Sequence, residues 1–148
     1  MSRVVVNEIE AKVGNDITFN DTVKIDTLKG KTTAGSITVQ GEGTNTTNLQ
    51  QGLCKVWVDL DGTGTIAIDD SLNCTSATDN NTGNYTVTFT NSMASATYSG
   101  GAIASNRRVI IFNTRAAGNA AIYSQDHNDG TNEADADPAC FVIFGDLA

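Results

Sequence analysis

The chain has 148 residues, 39% of them hydrophobic, with 17 acidic against 9 basic side chains for a net charge of -8. That length and apolar content support one modest core, so a single domain, or a domain plus an arm, is the ceiling. Threonine, asparagine and glycine (20, 15 and 14 residues) favour strands and turns and the chain shows no apolar heptads, which excludes a helical bundle or coiled coil.

The first fifty residues contain short strand-like pieces at 4–9, 17–19, 23–28 and 36–40. Polar turns at Gly14-Asn15-Asp16, Asn20-Asp21 and Gly30-Lys31 separate them. Between Thr32 and Gln51 only Ala34, Ile37, Val39 and Leu49 are apolar. Such a segment cannot build its own core, so residues 1–50 are expected to form an extended arm that anchors and intertwines. The opening Met1-Ser2-Arg3-Val4-Val5-Val6 lacks the apolar core of a signal peptide, and no stretch is long enough to cross a bilayer.

From residue 51 the pattern tightens. In residues 53–60 Cys54, Val56, Val58 and Leu60 alternate with Lys55, Trp57 and Asp59, which predicts a strand with the first set facing a core. Further strands are predicted at 65–68, 72–75, 85–89, 96–98, 109–113, 120–123 and 140–144. Within 85–89 the alternation puts Tyr85, Val87 and Phe89 inward and Thr86 and Thr88 outward. Turn signals recur about every ten residues, at 61–64, 80–84, 99–101 and 113–118, the spacing of an antiparallel sandwich or barrel. The expectation is therefore an all-β fold, an antiparallel, jelly-roll-like β-sandwich over 51–148. The acidic stretch from Gln125 to Pro138 reads as a solvated loop, or as a recognition loop at the open end of the sandwich, that Pro138 closes before the last strand.

The sequence offers little for catalysis. The single histidine, His127, lies in that loop with no nucleophile elbow, and there is no Walker A loop, no GxGxxG and no HExxH. Thirteen aspartates and four glutamates always provide pairs, so paired carboxylates carry almost no information. Cys54, Cys74 and Cys140 form no CxxC; they read as free, buried thiols, with a Cys54–Cys74 bridge as the alternative. The run from Asp59 to Asp70 has calcium-loop spacing, with Asp59, Asp61 and Thr63 as oxygen ligands and Gly64 at the sixth position. Its flanks read as strands where an EF-hand needs helices, and Asp70 is one methylene short of the bidentate glutamate, so a hairpin turn is the preferred reading. The Asn-X-Ser/Thr triplets at Asn20, Asn45, Asn73, Asn80 and Asn84 carry no weight in a chain this rich in Asn and Thr. No catalytic, cofactor-binding or metal-ligating residue is assigned and no cofactor is expected. A net negative chain whose only basic candidates are Arg107-Arg108 and the spread Lys24, Lys29 and Lys31 is not expected to bind nucleic acid.

Two long runs carry a family resemblance. Residues 52–73, from Gly52-Leu53-Cys54-Lys55-Val56-Trp57-Val58-Asp59-Leu60-Asp61-Gly62 onward, and residues 76–89 with Met93 resemble a module of fibre-like and virion-surface proteins of tailed bacteriophages, especially those of marine bacteria and cyanobacteria. The ending 141–148 is similar to the terminal strand of that module, and Val6-Asn7-Glu8-Ile9 with residues 14–19 is similar to amino-terminal segments of phage fibre proteins. The resemblance does not extend over 99–140. It implies a non-enzymatic virion structural protein, usually a homotrimer, assembled in the host bacterial cytoplasm and displayed on capsid or tail beside other virion proteins. The size leaves room for an arm and one head domain, which favours capsid decoration, a head fibre or a tail accessory over a full tail fibre. The alternative is a carbohydrate-binding module for a host surface glycan, for which Trp57 is the exposed-aromatic candidate; a weaker option is a small hydrolase.

Overall fold

The structure, a computed structural model, describes residues 20, 22–30, 37–41, 43–105, 107–127 and 132–148. The strands expected at 4–9 and 17–19 and the turn at 14–16 lie outside the described residues.

Two antiparallel four-stranded sheets face each other, and the fold is the expected β-sandwich. The first sheet contains β3 (Cys54–Asp61), β4 (Ala67–Leu72), β7 (Ser99–Ala104) and β10 (Ala139–Phe144), in the order β4-β3-β10-β7. The second contains β5 (Cys74–Asn81), β6 (Asn84–Phe89), β8 (Arg108–Ala116) and β9 (Asn119–Asp126), in the order β5-β6-β9-β8. Three connections are hairpins within a sheet, β3–β4, β5–β6 and β8–β9; the other four cross between sheets. Ahead of the sandwich, β1 (Thr38–Gln40) pairs with β2 (Thr46–Asn48), and a one-turn helix α1 (Leu49–Gly52) spans the expected boundary at residue 50. Asn48 caps that helix, its side-chain oxygen accepting from Gln51 N at 3.0 Å.

The period-two pattern places the core. Val56, Val58 and Leu60 of β3 and Phe141 and Ile143 of β10 meet Tyr85, Val87 and Phe89 of β6 and Ala120 and Ile122 of β9, all buried. Phe112 packs edge-on against Phe141 across the two sheets, with ring centroids 5.5 Å apart. Thr88 faces solvent and Thr86 is half-buried, as the alternation requires.

Several sequence expectations shift. The strand expected at 72–75 is instead the corner where β4 passes to β5, turning at Asn73 with φ 61°. Residues 96–98 are not a strand, and the turn expected at 99–101 is the start of β7. Glycine reads as a turn former, but here it serves close approach: a Cβ at Gly100 would lie 2.3 Å from the Val142 carbonyl oxygen and 3.3 Å from the Phe112 ring. Residues 23–28 form neither strand nor helix, and among the described residues no segment pairs with them.

Cys54 and Lys55 exchange the sides expected of them. A bulge between Ile143 and Phe144 pairs Cys54 with outward-lying Phe144 and turns Lys55 into a buried position. The Lys55 ammonium donates to the carbonyls of Gln50 and Leu53, at the carboxyl end of α1, where the helix dipole favours a cation. The three cysteines are free and half-buried, so the buried-core expectation for Cys54 and Cys140 is corrected. Both lie in the first sheet but off its inner face.

Candidate interaction surface

The outer side of the first sheet follows from the register. Trp57 of β3 stands opposite Leu72 of β4 on one side and Val142 of β10 on the other, and Val142 in turn stands opposite Gly101 of β7. One step along, Cys140 pairs with Ile103, whose side chain is 69% exposed. Because Gly101 contributes no side chain, an open groove of about 530 Å³ remains between Trp57, Val142, Ile103 and Cys140. A Cβ placed on Gly101 would find only Val142 Cγ1, at 4.0 Å, so the space is free. Exposed Leu72 extends the apolar surface to the β4 edge, and exposed Phe144 extends it along β10 to the end of that strand. A contiguous apolar face of this kind, with an aromatic at its centre, is the signature of an interaction surface. Trp57, expected on the face opposite Val56 and Val58, is there; it does not lie between the sheets.

Carboxylates gather at one end of this groove. Asp59 and Asp61 follow Trp57 on the same side of β3, and Asp70 stands opposite Asp59 on β4. The charges of Asp61, Asp69 and Asp59, together with slight burial, push the exposed Asp137 carboxyl above its ordinary value, Asp61 contributing most. Asp61 itself shifts down, because its side chain accepts from Thr63 Oγ1 at 2.6 Å and from Thr63 N at 2.7 Å. The Cys140 thiol donates to Asp59 Oδ1 at 3.2 Å; burial first, and then that carboxylate, push it up to about 11, so it stays protonated at neutral pH.

The segment with calcium-loop spacing is the β3–β4 hairpin, with Asp61 spent on its turn. Among the described residues no group of three or more His, Cys, Asp or Glu side chains is arranged to hold a metal ion. Of the basic candidates, Arg108 pairs with Asp126 at 3.4 Å and Arg107 is exposed. Lys24 and Lys29 are exposed in the arm, and Lys31 lies outside the described residues. No described helix is long and apolar enough to cross a membrane.

The acidic loop departs from a freely solvated one over its second half. Asp135 Oδ1 accepts from the Tyr85 hydroxyl at 2.9 Å and from Gly83 N at 2.7 Å, and Ala136 is buried. Gly83 has φ +66°, and a Cβ there would lie 2.6 Å from both Ala134 N and Ser124 O, so the loop closes on a glycine with no room for a side chain. Burial of the Tyr85 ring and the neighbouring Asp135 carboxylate drive the phenol strongly upward, which keeps it a donor. His127 is exposed, and its backbone N–H donates to Arg107 O at 3.0 Å.

The groove escaped the sequence reading because it depends on Gly101 standing opposite Val142, a pairing of residues 41 apart. The carboxylate cluster escaped it because Asp137 reaches the β3–β4 hairpin only through the fold. These features define an all-β sandwich with one apolar outer face and an acidic rim. No family model, no curated protein and no solved structure matches the chain.

Proposed function

We propose that the chain is a non-enzymatic structural protein that works by self-association: a homotrimeric component of a bacteriophage virion, fibre-like or capsid-decorating, attached to other virion proteins through its amino-terminal arm. The observation that carries the self-association is the exposed groove around Trp57 on a sheet whose other face is fully packed. Association covers that surface, and a ring of three satisfies every copy through one repeated contact. The virion assignment rests on the resemblance of residues 52–73 and 76–89 to phage virion-surface modules. Light scattering on the purified protein is expected to give three chains per particle, and a stable monomer at high concentration counts against the reading. Electron micrographs of the particle, with the protein labelled, are expected to place it on capsid or tail.

The second reading, a host-glycan module, is favoured by one observation: Trp57 lines an open groove rather than the core. Sugars need several polar partners around an aromatic platform, and among the described residues Asp59 is the only charged side chain that lines this groove. That composition favours an apolar protein segment over a sugar. Glycan-array binding that Trp57→Ala abolishes would reverse the order of the two readings.

A further inference from the structure

The groove has a complementary occupant within the same sequence. Residues 22–30 carry Val23, Ile25 and Leu28, which are 49%, 58% and 57% exposed, so the single chain leaves them uncovered and does not fold them onto its own groove. In an extended conformation Val23, Ile25, Thr27 and Lys29 share one side. Four residues separate Ile25 from Lys29, and four separate Trp57 from Asp61, about 13 Å in either strand. A segment laid lengthwise over β3 therefore brings an aliphatic side chain to Trp57 and an ammonium to the carboxylates together. Charge matches as well: the segment has two lysines and one aspartate, while the groove ends in Asp59, Asp61, Asp69 and Asp137, which form no ion pair among the described residues.

We propose that residues 23–29 of a neighbouring copy dock along β3 on the outer face of the first sheet, with Ile25 in the groove over Trp57, Val142 and Gly101, Val23 toward Phe144, Thr27 level with Asp59 and Lys29 at Asp61. This rests on the self-association reading and supplies its contact: each copy gives one segment and receives one. Such a head-to-tail exchange closes into a ring when the rotation between copies allows it. The contact also accounts for a strand-like segment with no strand partner among the described residues, since its apolar side chains are satisfied by a neighbour's face rather than by hydrogen-bonded pairing.

The test uses the full chain with a cysteine at Ile103, which is exposed and lines the groove. An Ile25→Cys/Ile103→Cys variant treated with a short bis-maleimide is expected to give a ladder of linked chains up to three on a denaturing gel, with positions 25 and 103 joined. The ladder is expected to be absent in either single variant. Two further variants act on the contact without touching the core. Ile25→Asp removes the aliphatic anchor, and Gly101→Leu fills the groove from the other side; each is expected to reduce the particle from three chains to one at dilution. Trp57 is the only tryptophan, so its emission is expected to move to the red in Ile25→Asp as the indole returns to water. A particle that keeps three chains in both Ile25→Asp and Gly101→Leu, with unchanged emission in Ile25→Asp and with no linkage between positions 25 and 103 in the double-cysteine variant, overturns the docking and leaves self-association standing. Linkage confined within single chains also overturns it. A parent protein that is monomeric at all concentrations overturns docking and self-association together.

Discussion

The two outer faces of the sandwich are built from the same strand geometry and opposite chemistry. On the second sheet, Thr78 of β5 stands opposite Thr86 of β6, which stands opposite Ala121 of β9; beside this row Ser76, Thr88 and Asn119 form another. Asn80 Nδ2 donates to Thr86 Oγ1 at 2.9 Å, so over β5 and β6 the surface is a lattice of short polar side chains, which gives way to Tyr123 on β9 and to exposed Val109 and Ile111 on the β8 edge. On the first sheet the corresponding row is Leu72, Trp57, Val142 and Gly101. Burial in the shared core cannot explain the difference, since both sheets present equally apolar inner faces. The difference belongs to the solvent side, where one face is complete in water and the other is complete only when covered.

The comparison requires that both sheets stand or fall together. Ile143 is fully buried beneath the apolar face, and Ile143→Ala is expected to cost about 2–5 kcal/mol, the range for deleting a buried aliphatic side chain. Chemical denaturation followed by Trp57 emission and by far-ultraviolet circular dichroism is expected to give one coincident, shifted transition. Separate transitions would mean that the sheets are independent layers, and the comparison of their faces would lose its common reference.

Next in size is the fastening of the acidic loop. Asp135→Ala removes the acceptor for the buried Gly83 N and one of two acceptors for the Tyr85 hydroxyl, which keeps Gly62 O at 3.2 Å, and is expected to cost about 1–3 kcal/mol, the penalty of leaving a buried donor unsatisfied. The loss is expected to appear in thermal melting without change in particle mass, because Asp135 fastens the loop to Tyr85 and Gly83 and does not line the groove. A change in mass would mean that Asp135 contributes to assembly.

Polar substitution separates the faces directly. Ile103→Thr is expected to change the stability of the isolated fold by no more than about 0.5 kcal/mol, because Ile103 is mostly exposed, and to weaken self-association. Thr78→Val on the opposite face is expected to leave association unaltered. Equal effects of the two on particle mass would erase the distinction between the faces.

Much of this difference was legible in the sequence and some was not. The period of two in Val56, Val58 and Leu60 and in Tyr85, Val87 and Phe89 placed the core and put Trp57 on the outside, because a half-buried strand has no other way to satisfy such a pattern. Lys55 and Cys54 defeated the same rule, since a bulge is a property of two strands and the partner, Phe144, lies ninety residues away. Gly100-Gly101 were illegible for a different reason: glycine marks both turns and close approaches, and only the position of Val142 decides which. Residues 23–28 read as a strand because strand propensity is local, whereas a strand requires a partner, and among the described residues none pairs with them.

The smallest expected effect lies at the acidic rim of the apolar face, and its sign follows from the two opposed shifts. Asp137 binds its proton more tightly folded than unfolded, chiefly because Asp61, and then Asp69 and Asp59, crowd it with like charge. In the window between the ordinary carboxyl value of 3.8 and the raised one, the folded chain therefore holds more protons, and this group lowers stability as pH rises through that window. Asp61 acts in the opposite sense below 3.8, since its bonds to Thr63 require the carboxylate and are lost as pH falls. Asp137→Asn is expected to remove the first effect and leave the second, giving a melting temperature slightly above the parent's at neutral pH that converges with it in acid. Added salt is expected to narrow the gap, because these charges face water and are screened within about 10 Å at 0.1 M. In the associated particle the gap is expected to shrink further, as a cation from the arm takes over the neutralisation that the substitution supplies in the free chain; an identical gap in both forms would place the rim outside the contact.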